Sequence, residues 1–169
     1  IWHSDCGYFS SLNPKSWRFL TRMSEQFWRH KKLDEMTRQE WESLCDGCGQ
    51  CCLLKLEDED DGTIYLTKLS CSMLNVGTCR CSDYAKRHEL MPDCVSITPE
   101  KVRTLTWLPE TCAYRLVEEG RDLAWWHPLV SGDTITVHAA GISIRGEACS
   151  EAEVHEDDYG HYIIGEVSE

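Results

Sequence analysis

"CDGCGQCC", Cys45 to Cys52, sets four thiols within eight residues, the last two adjacent. The order C-x2-C-x2-C puts three thiolates on one tight loop, which surrounds one face of a metal or cluster and leaves a further ligand to come from elsewhere in the chain. Gly47 and Gly49 suit such a loop, because glycine permits positive φ and lets backbone N–H groups approach sulfur and stabilise thiolate charge. Cys52 departs from the bacterial ferredoxin spacing, and its side chain leaves the backbone in a different direction from that of Cys51, which suits it to a second metal. A disulfide between these two neighbours is disfavoured, since their Cβ atoms diverge in ordinary backbone conformations.

Further along come Cys71, Cys79 and Cys81 in "CSMLNVGTCRC", Cys94 in "PDC" and Cys112 in "PETC", so nine thiols lie between residues 45 and 112. Two four-thiolate centres would use eight, with one to spare or to bridge. Sulfur-rich ligation selects zinc or iron–sulfur centres over magnesium, calcium or manganese, and leaves zinc and iron both open. Cys6 and Cys149 stand apart and are assigned ordinary roles. No window approaches the ~18 apolar residues of a membrane span, and the N-terminus lacks the apolar segment of a secretory signal, so the expected location is the cytoplasm. In a reducing compartment this cysteine density means metal or redox chemistry rather than disulfides. The net charge of −12 argues against a nucleic-acid partner, which would need a basic face. The expected partner is therefore a metal ion or cluster, with no nucleic acid, no membrane and no protein partner that the sequence names.

Hydrophobic residues make up 41% of the 169-residue chain, but the eleven cysteines are among them, and what is left is thin for a domain with 27% charged residues. Thiolate–metal bonds can supply the missing stability, because metal binding free energy is folding free energy when the ligands are scattered in the unfolded chain. Residues 1–22 show neither strand alternation nor a helical stripe and are read as a non-native or disordered extension, with Met23 as initiator and 23–169 as the single domain.

Local signals place the elements. In "TRQEWESLC", Thr37 and Glu40 fit a capping box, so a helix should run from about Arg38 into Cys45, with Trp41 and Leu44 on its buried face. "LEDEDDG" reads as an acidic turn and "TIYLTKL" as the strand after it. "ITPEKVRTL" starts a short helix with Thr98 as cap and Pro99 at its first position. "LPETCAYRLVEEG" supplies a second, from about Pro109 to Gly120, with Cys112 in a first turn whose dipole lowers a thiol pKa. "TITVHAAGISIR", residues 134–145, looks like a strand, and "EAEVHEDDYGHYIIGEVSE" like an acidic, solvated tail holding His155 and His161. The expected class is α+β: a small metal-stapled single domain of short helices and strands around a cysteine cluster.

The order "CDGCGQCC", "SC", "TCRC", "PDC", "LPETCAYRL" and then "WHPL" resembles the bacterial YcgN-like proteins of the CxxCxxCC zinc- or iron-chelating family, the YkgJ-type cysteine-cluster proteins, over roughly Phe27 to the acidic C-terminal segment. The resemblance implies a small cytosolic chelator of zinc or iron without an established reaction. Carried over by motif, the implied ligands are Cys45, Cys48, Cys51, Cys52, Cys71, Cys79, Cys81, Cys94 and Cys112. For His127 in "WHPL", a hydrogen-bonded histidine before a proline turn is a better reading than a ligand.

Among functions, an enzyme fits least, since no nucleophile–base pairing and no open His-rich zinc site is visible. A zinc-stapled structural or interaction module would use a closed four-thiolate site. Nine thiols exceed that structural need, so the leading expectation is iron, as an iron–sulfur cluster, or Zn2+, in a redox, sensing or metal-handling role. Three cysteines at intervals of three suit the corners of a [4Fe–4S] cluster better than they suit one tetrahedral zinc.

Overall fold

The computed structural model describes residues 26–167; the 1–22 segment, with Cys6, and Met23 lie outside the described residues. Two strands lead directly out of the cysteine loop. Strand β1 (Leu53–Glu57) pairs antiparallel with β2 (Ile64–Ser70), Lys55 opposite Leu66 and Glu57 opposite Ile64. The acidic run between them is a turn because its carboxylates bind its own backbone: Asp58 accepts from the Asp60 N–H and Asp61 from the Thr63 N–H. A register shift between Leu53 and Lys55 frees the Leu54 carbonyl, which accepts the hydroxyl of the fully buried Thr67 at 2.9 Å.

Strand β2 is the sheet centre. On its other edge lie β5 (Cys149–Ser150), parallel to Leu69 and Ser70, and β6 (Ile163–Glu166), antiparallel to Tyr65–Thr67. The C-terminal segment read as a solvated tail therefore contributes a sheet strand, because Ile163 and Ile164 supply the β-branched pair that an edge position accepts. Strands β3 (Leu74–Asn75) and β4 (Arg80–Cys81) make a separate small ladder across the second cysteine group.

The helices are short. Arg38–Ser43 has both arms of the expected capping box, with Thr37 accepting from the Glu40 N–H and Glu40 from the Thr37 N–H. Pro99–Val102 begins at the expected proline under a Thr98 cap. The third differs from expectation: it spans Ala113–Glu118, and Cys112 has the extended backbone of a capping residue rather than a first-turn one. Residues 134–145 are no strand. Asp133 caps the Ile135 N–H and the Thr136 hydroxyl bonds the carbonyls of Trp126 and Asp133, so local capping overrides β propensity and a turn of helix forms over Thr136–Ala139.

The main core joins Phe27, Trp28, Leu33 and Leu44 to Val102, Leu108, Tyr114, Leu116 and Leu123. A smaller cluster holds Leu74, Cys79 and Ile144, with Cys52, Leu53 and Ala148 against it. Leu44 belongs to the first cluster and Cys52 packs on the second, so the cysteine loop is the chain that connects them. Architecture and size are those of a small α+β domain. Among the described residues no helix is long and apolar enough to cross a membrane.

Candidate metal centre

The loop owes its shape to two left-handed glycines and to fastenings at both ends. Gly47 and Gly49 have φ of 77° and 79°, as their places between cysteines predicted. A Cβ on Gly49 would meet the Ile144 side chain at 2.9 Å, so the loop is packed against the smaller core with no room to spare. The Cys48 carbonyl accepts from the Ile144 N–H at 2.9 Å, and Gln50 Nε2 donates to the Ile142 carbonyl at 2.7 Å. At the other end, the Cys71 N–H donates to the Cys52 carbonyl at 2.9 Å, which ties the second cysteine group to the first.

The loop thiols and Cys112 share one environment. The crowding of protein around its sulfur, then the neighbouring Cys51, pushes Cys45 up to about 12, although the residue as a whole is exposed. Burial and then the Asp46 charge hold Cys48 well above the ordinary thiol range. The hydrogen bond with Cys52, then burial, does the same to Cys51. Burial also raises Cys112, with Cys51 and Asp46 adding to the effect. The expected lowering of Cys112 by its helix is thus outweighed by burial. A second group comprises Cys71, Cys81 and Cys94: burial raises Cys71 and Cys94, and the charge of Cys81 adds to both, while Cys51 acts on Cys94 across the gap.

Against burial, backbone N–H groups favour the thiolate at four of these sulfurs. The amide of Gly47 acts on Cys45, that of Gln50 on Cys48, that of Met73 on Cys71, and those of Arg115 and Tyr114 on Cys112, so each sulfur is favoured by the amide two residues on. None of these closes to a hydrogen bond of standard geometry, Cys112 making no cap bond either, and their contribution is electrostatic. Cys79 differs: it is buried at φ 53°, burial raises it, and the groups acting on it are Ser143, Arg145 and Arg80 rather than another thiol. Cys149 lies in β5. Among the described residues, no group of three or more His, Cys, Asp or Glu side chains is arranged, as they stand, to hold an ion. The donor set nonetheless has the chemistry of a zinc or iron ligand shell, sulfur supported by amide N–H, and one of its buried oxygens has no partner.

That oxygen belongs to Asp46, which sequence reading passed over. Asp46 is 5% exposed; its Oδ1 accepts from the Cys48 N–H at 2.9 Å, while its buried Oδ2 meets no donor. Lys55 was also missed. Its ammonium donates to the carbonyls of Leu53 at 2.6 Å, Cys51 at 3.0 Å and Gln50 at 3.3 Å, and sits 4.1 Å from the centroid of a Trp107 ring. Burial lowers Lys55 to about 8, opposed by the charges of Cys51, Cys52 and Cys48. A lone lysine amid leucines in "LLKLE" was the available signal. His127, 1% exposed, accepts the Leu129 N–H at Nδ1 and so donates from Nε2 to the Leu44 carbonyl at 3.0 Å. Both ring nitrogens are occupied in holding the chain just before Cys45. His155 and His161 are exposed beside Asp157 and Asp158.

The chain is 59% identical over 138 residues to a UPF0260 protein of Sinorhizobium fredii, covering 82% of this chain and 89% of that one. The chain belongs to the UPF0260 family. A second UPF0260 protein, from Mesorhizobium japonicum, is 59% identical over 144 residues, 84% of this chain and 97% of the other. A third, from Rhodopseudomonas palustris, is 59% identical over 139 residues and 82% of each. Residues 44–113 match the CxxCxxCC model, described as a "putative zinc- or iron-chelating domain". That span begins one residue before Cys45 and ends one after Cys112, so it encloses all nine thiols and excludes Cys149. No solved structure matches the chain. The domain match supports metal binding and leaves the choice between zinc and iron open.

Proposed function

We propose that this UPF0260 protein is a cytoplasmic thiolate metal protein that holds iron, as an iron–sulfur cluster, or zinc, in a redox, sensing or metal-handling role. The observation that carries the reading is the repeated pairing of a cysteine sulfur with the backbone N–H two residues on, at Cys45, Cys48, Cys71 and Cys112. Neutral buried thiols gain little from such amides, whereas thiolates bound to a cation are held and oriented by them. One ligand group draws on Cys45, Cys48 and Cys112, and the other on Cys71, Cys81 and Cys94, with the neighbouring Cys51 and Cys52 between them. Cys79 packs in the smaller core, and its part as a ligand is the least supported of the nine. Because no ion-ready group stands assembled, capture requires the thiols to turn about χ1 between staggered positions while the fastened loop stays in place.

A bound iron–sulfur cluster would supply one-electron chemistry; zinc would supply a staple without redox change. The zinc-stapled module is favoured by one feature, the position of the loop at the joint between the two apolar clusters, where a closed site contributes folding energy. Protein purified without oxygen separates the two. Iron with inorganic sulfide and a broad visible absorption bleached by dithionite supports the redox reading. Colourless protein with stoichiometric zinc and no sulfide replaces it with the structural one, and protein that retains neither metal refutes both.

A further inference from the structure

We infer that Asp46 is itself a metal ligand, giving through Oδ2 an oxygen donor to the ion that Cys45, Cys48 and Cys112 hold, so that the loop centre is a mixed carboxylate–thiolate site for a divalent cation. The inference rests on the thiolate centre proposed above and specifies its ligand shell.

Three observations carry it. The first is the orphan oxygen. A carboxylate 5% exposed with one oxygen bonded and the other without a donor is costly, and native proteins rarely leave such a group unpaired. Lys55 donates to three carbonyls, both nitrogens of His127 are bonded to backbone, and the Arg80 guanidinium, which lies beside Gly47, gives this oxygen no hydrogen bond. A cation is what this oxygen lacks.

The second is position. Asp46 lies between Cys45 and Cys48 in the loop, and its charge reaches Cys45, Cys48, Cys51 and Cys112. Its Oδ1 is pinned by the Cys48 N–H, which fixes the side chain before any thiol turns. Asp46 is the pre-set donor onto which mobile thiols can close.

The third is the count of donors. Backbone amides two residues on favour the thiolate at Cys45, Cys48 and Cys112, and none is among the main influences on Cys51. Three such thiolates and one carboxylate complete a tetrahedral shell with the charge of a four-thiolate one. Adding the carboxylate to four thiolates would place a fifth negative charge in a buried site.

The test uses the full chain loaded anaerobically with Zn(II) as the probe metal, and X-ray absorption at the zinc edge. The expected wild-type shell contains an oxygen scatterer at about 2.0–2.2 Å beside sulfur at about 2.3 Å. Asp46→Asn keeps an acceptor for the Cys48 N–H but turns an amide toward the metal. It should lose the oxygen shell and weaken zinc at least about 10-fold in chelator competition, against no change for the exposed control Asp60→Asn. If the Asn variant does not fold, Asp46→Ser, whose hydroxyl can also accept from that amide, replaces it. A sulfur-only shell in the wild type, or an oxygen shell that persists in the variant, overturns the inference and leaves the thiolate centre standing. A wild-type chain that binds no zinc or iron overturns both.

Discussion

Gly49→Ala tests whether the loop is held where the structure puts it. The residue has φ of 79°, a conformation that costs an L side chain about 1–2 kcal/mol. The new methyl would lie 2.9 Å from Ile144 Cγ1, closer than real Cβ atoms come, and 3.0 Å from its Cδ1, so the side chain would have to shift. Ile144 is 6% exposed and packed with Leu74 and Cys79, and its N–H is bonded to the Cys48 carbonyl, so it cannot swing away cheaply. Overpacking of that kind costs about 1–3 kcal/mol. The two effects together come to about 3 kcal/mol, which in a chain of this length lowers Tm by roughly 6–12 °C. Gly120→Ala is the matched control. It has φ of 68° but nothing within 4 Å of its added carbon, so only the backbone cost remains, about 1–2 kcal/mol and roughly 2–8 °C. Thermal unfolding should be followed in chelator and again after metal loading, where Gly49→Ala should lose affinity as well because it displaces the turn carrying Cys51 and Cys52. Equal shifts for the two variants, or a Gly49→Ala chain with wild-type Tm and metal content, would refute the packing argument.

Other outcomes follow from the same geometry. Cys48→Ser and Cys112→Ser should reduce metal content and Tm together, whereas Cys149→Ser should alter neither; metal analysis beside thermal melts decides it. Cys79→Ala should lower stability by about 1–2 kcal/mol through lost packing and leave metal stoichiometry unchanged, measured by denaturation and metal analysis. Because burial raises the loop thiols, binding must release their protons, so zinc affinity should climb steeply with pH across 6 to 8, as chelator competition at several pH values would reveal. Burial lowers the His127 pKa, so the unfolded chain binds more protons there as pH falls. Its stabilising contribution is complete above about 6.5 and is lost on acidification through the folded pKa. His127→Gln should therefore show a smaller decline in denaturation midpoint between pH 7 and pH 5 than the wild type.

What the sequence disclosed tracks how local each signal is. The capping box at Thr37, the Pro99 helix start and the acidic turn before Gly62 depend on contacts a few residues apart, and each is where its motif placed it. The strand-like 134–145 segment misled because alternation alone carries no information about a partner strand, and Asp133 and Thr136 had a nearer use for the backbone. The docking of Ile163–Glu166 on β2 was hidden because the acidic residues around it suggested only solvent. At the site, spacing marked the nine thiols, but not which of them the fold would group, since that depends on Ile144, nearly a hundred residues from the loop that it fastens. Asp46 escaped notice because an aspartate between cysteine and glycine looks like an ordinary turn residue until its burial is known.

Lys55 links fold and chemistry in the same way. A half-buried ammonium that meets carbonyls and an indole face is desolvated more than it is compensated, which is why its pKa falls to about 8. Each nearby thiol that becomes a thiolate stabilises the ammonium, and by the same interaction the ammonium stabilises that thiolate at Cys51, Cys52 or Cys48. In the centre proposed above, four anionic donors around a divalent ion would leave two negative charges in a partly dry site. Lys55 sits where it can offset one of them, and its bonds to the Gln50, Cys51 and Leu53 carbonyls hold the loop in the shape that brings those donors near one another. In that centre the lysine would favour metal-bound thiolates over protonated thiols without being a ligand.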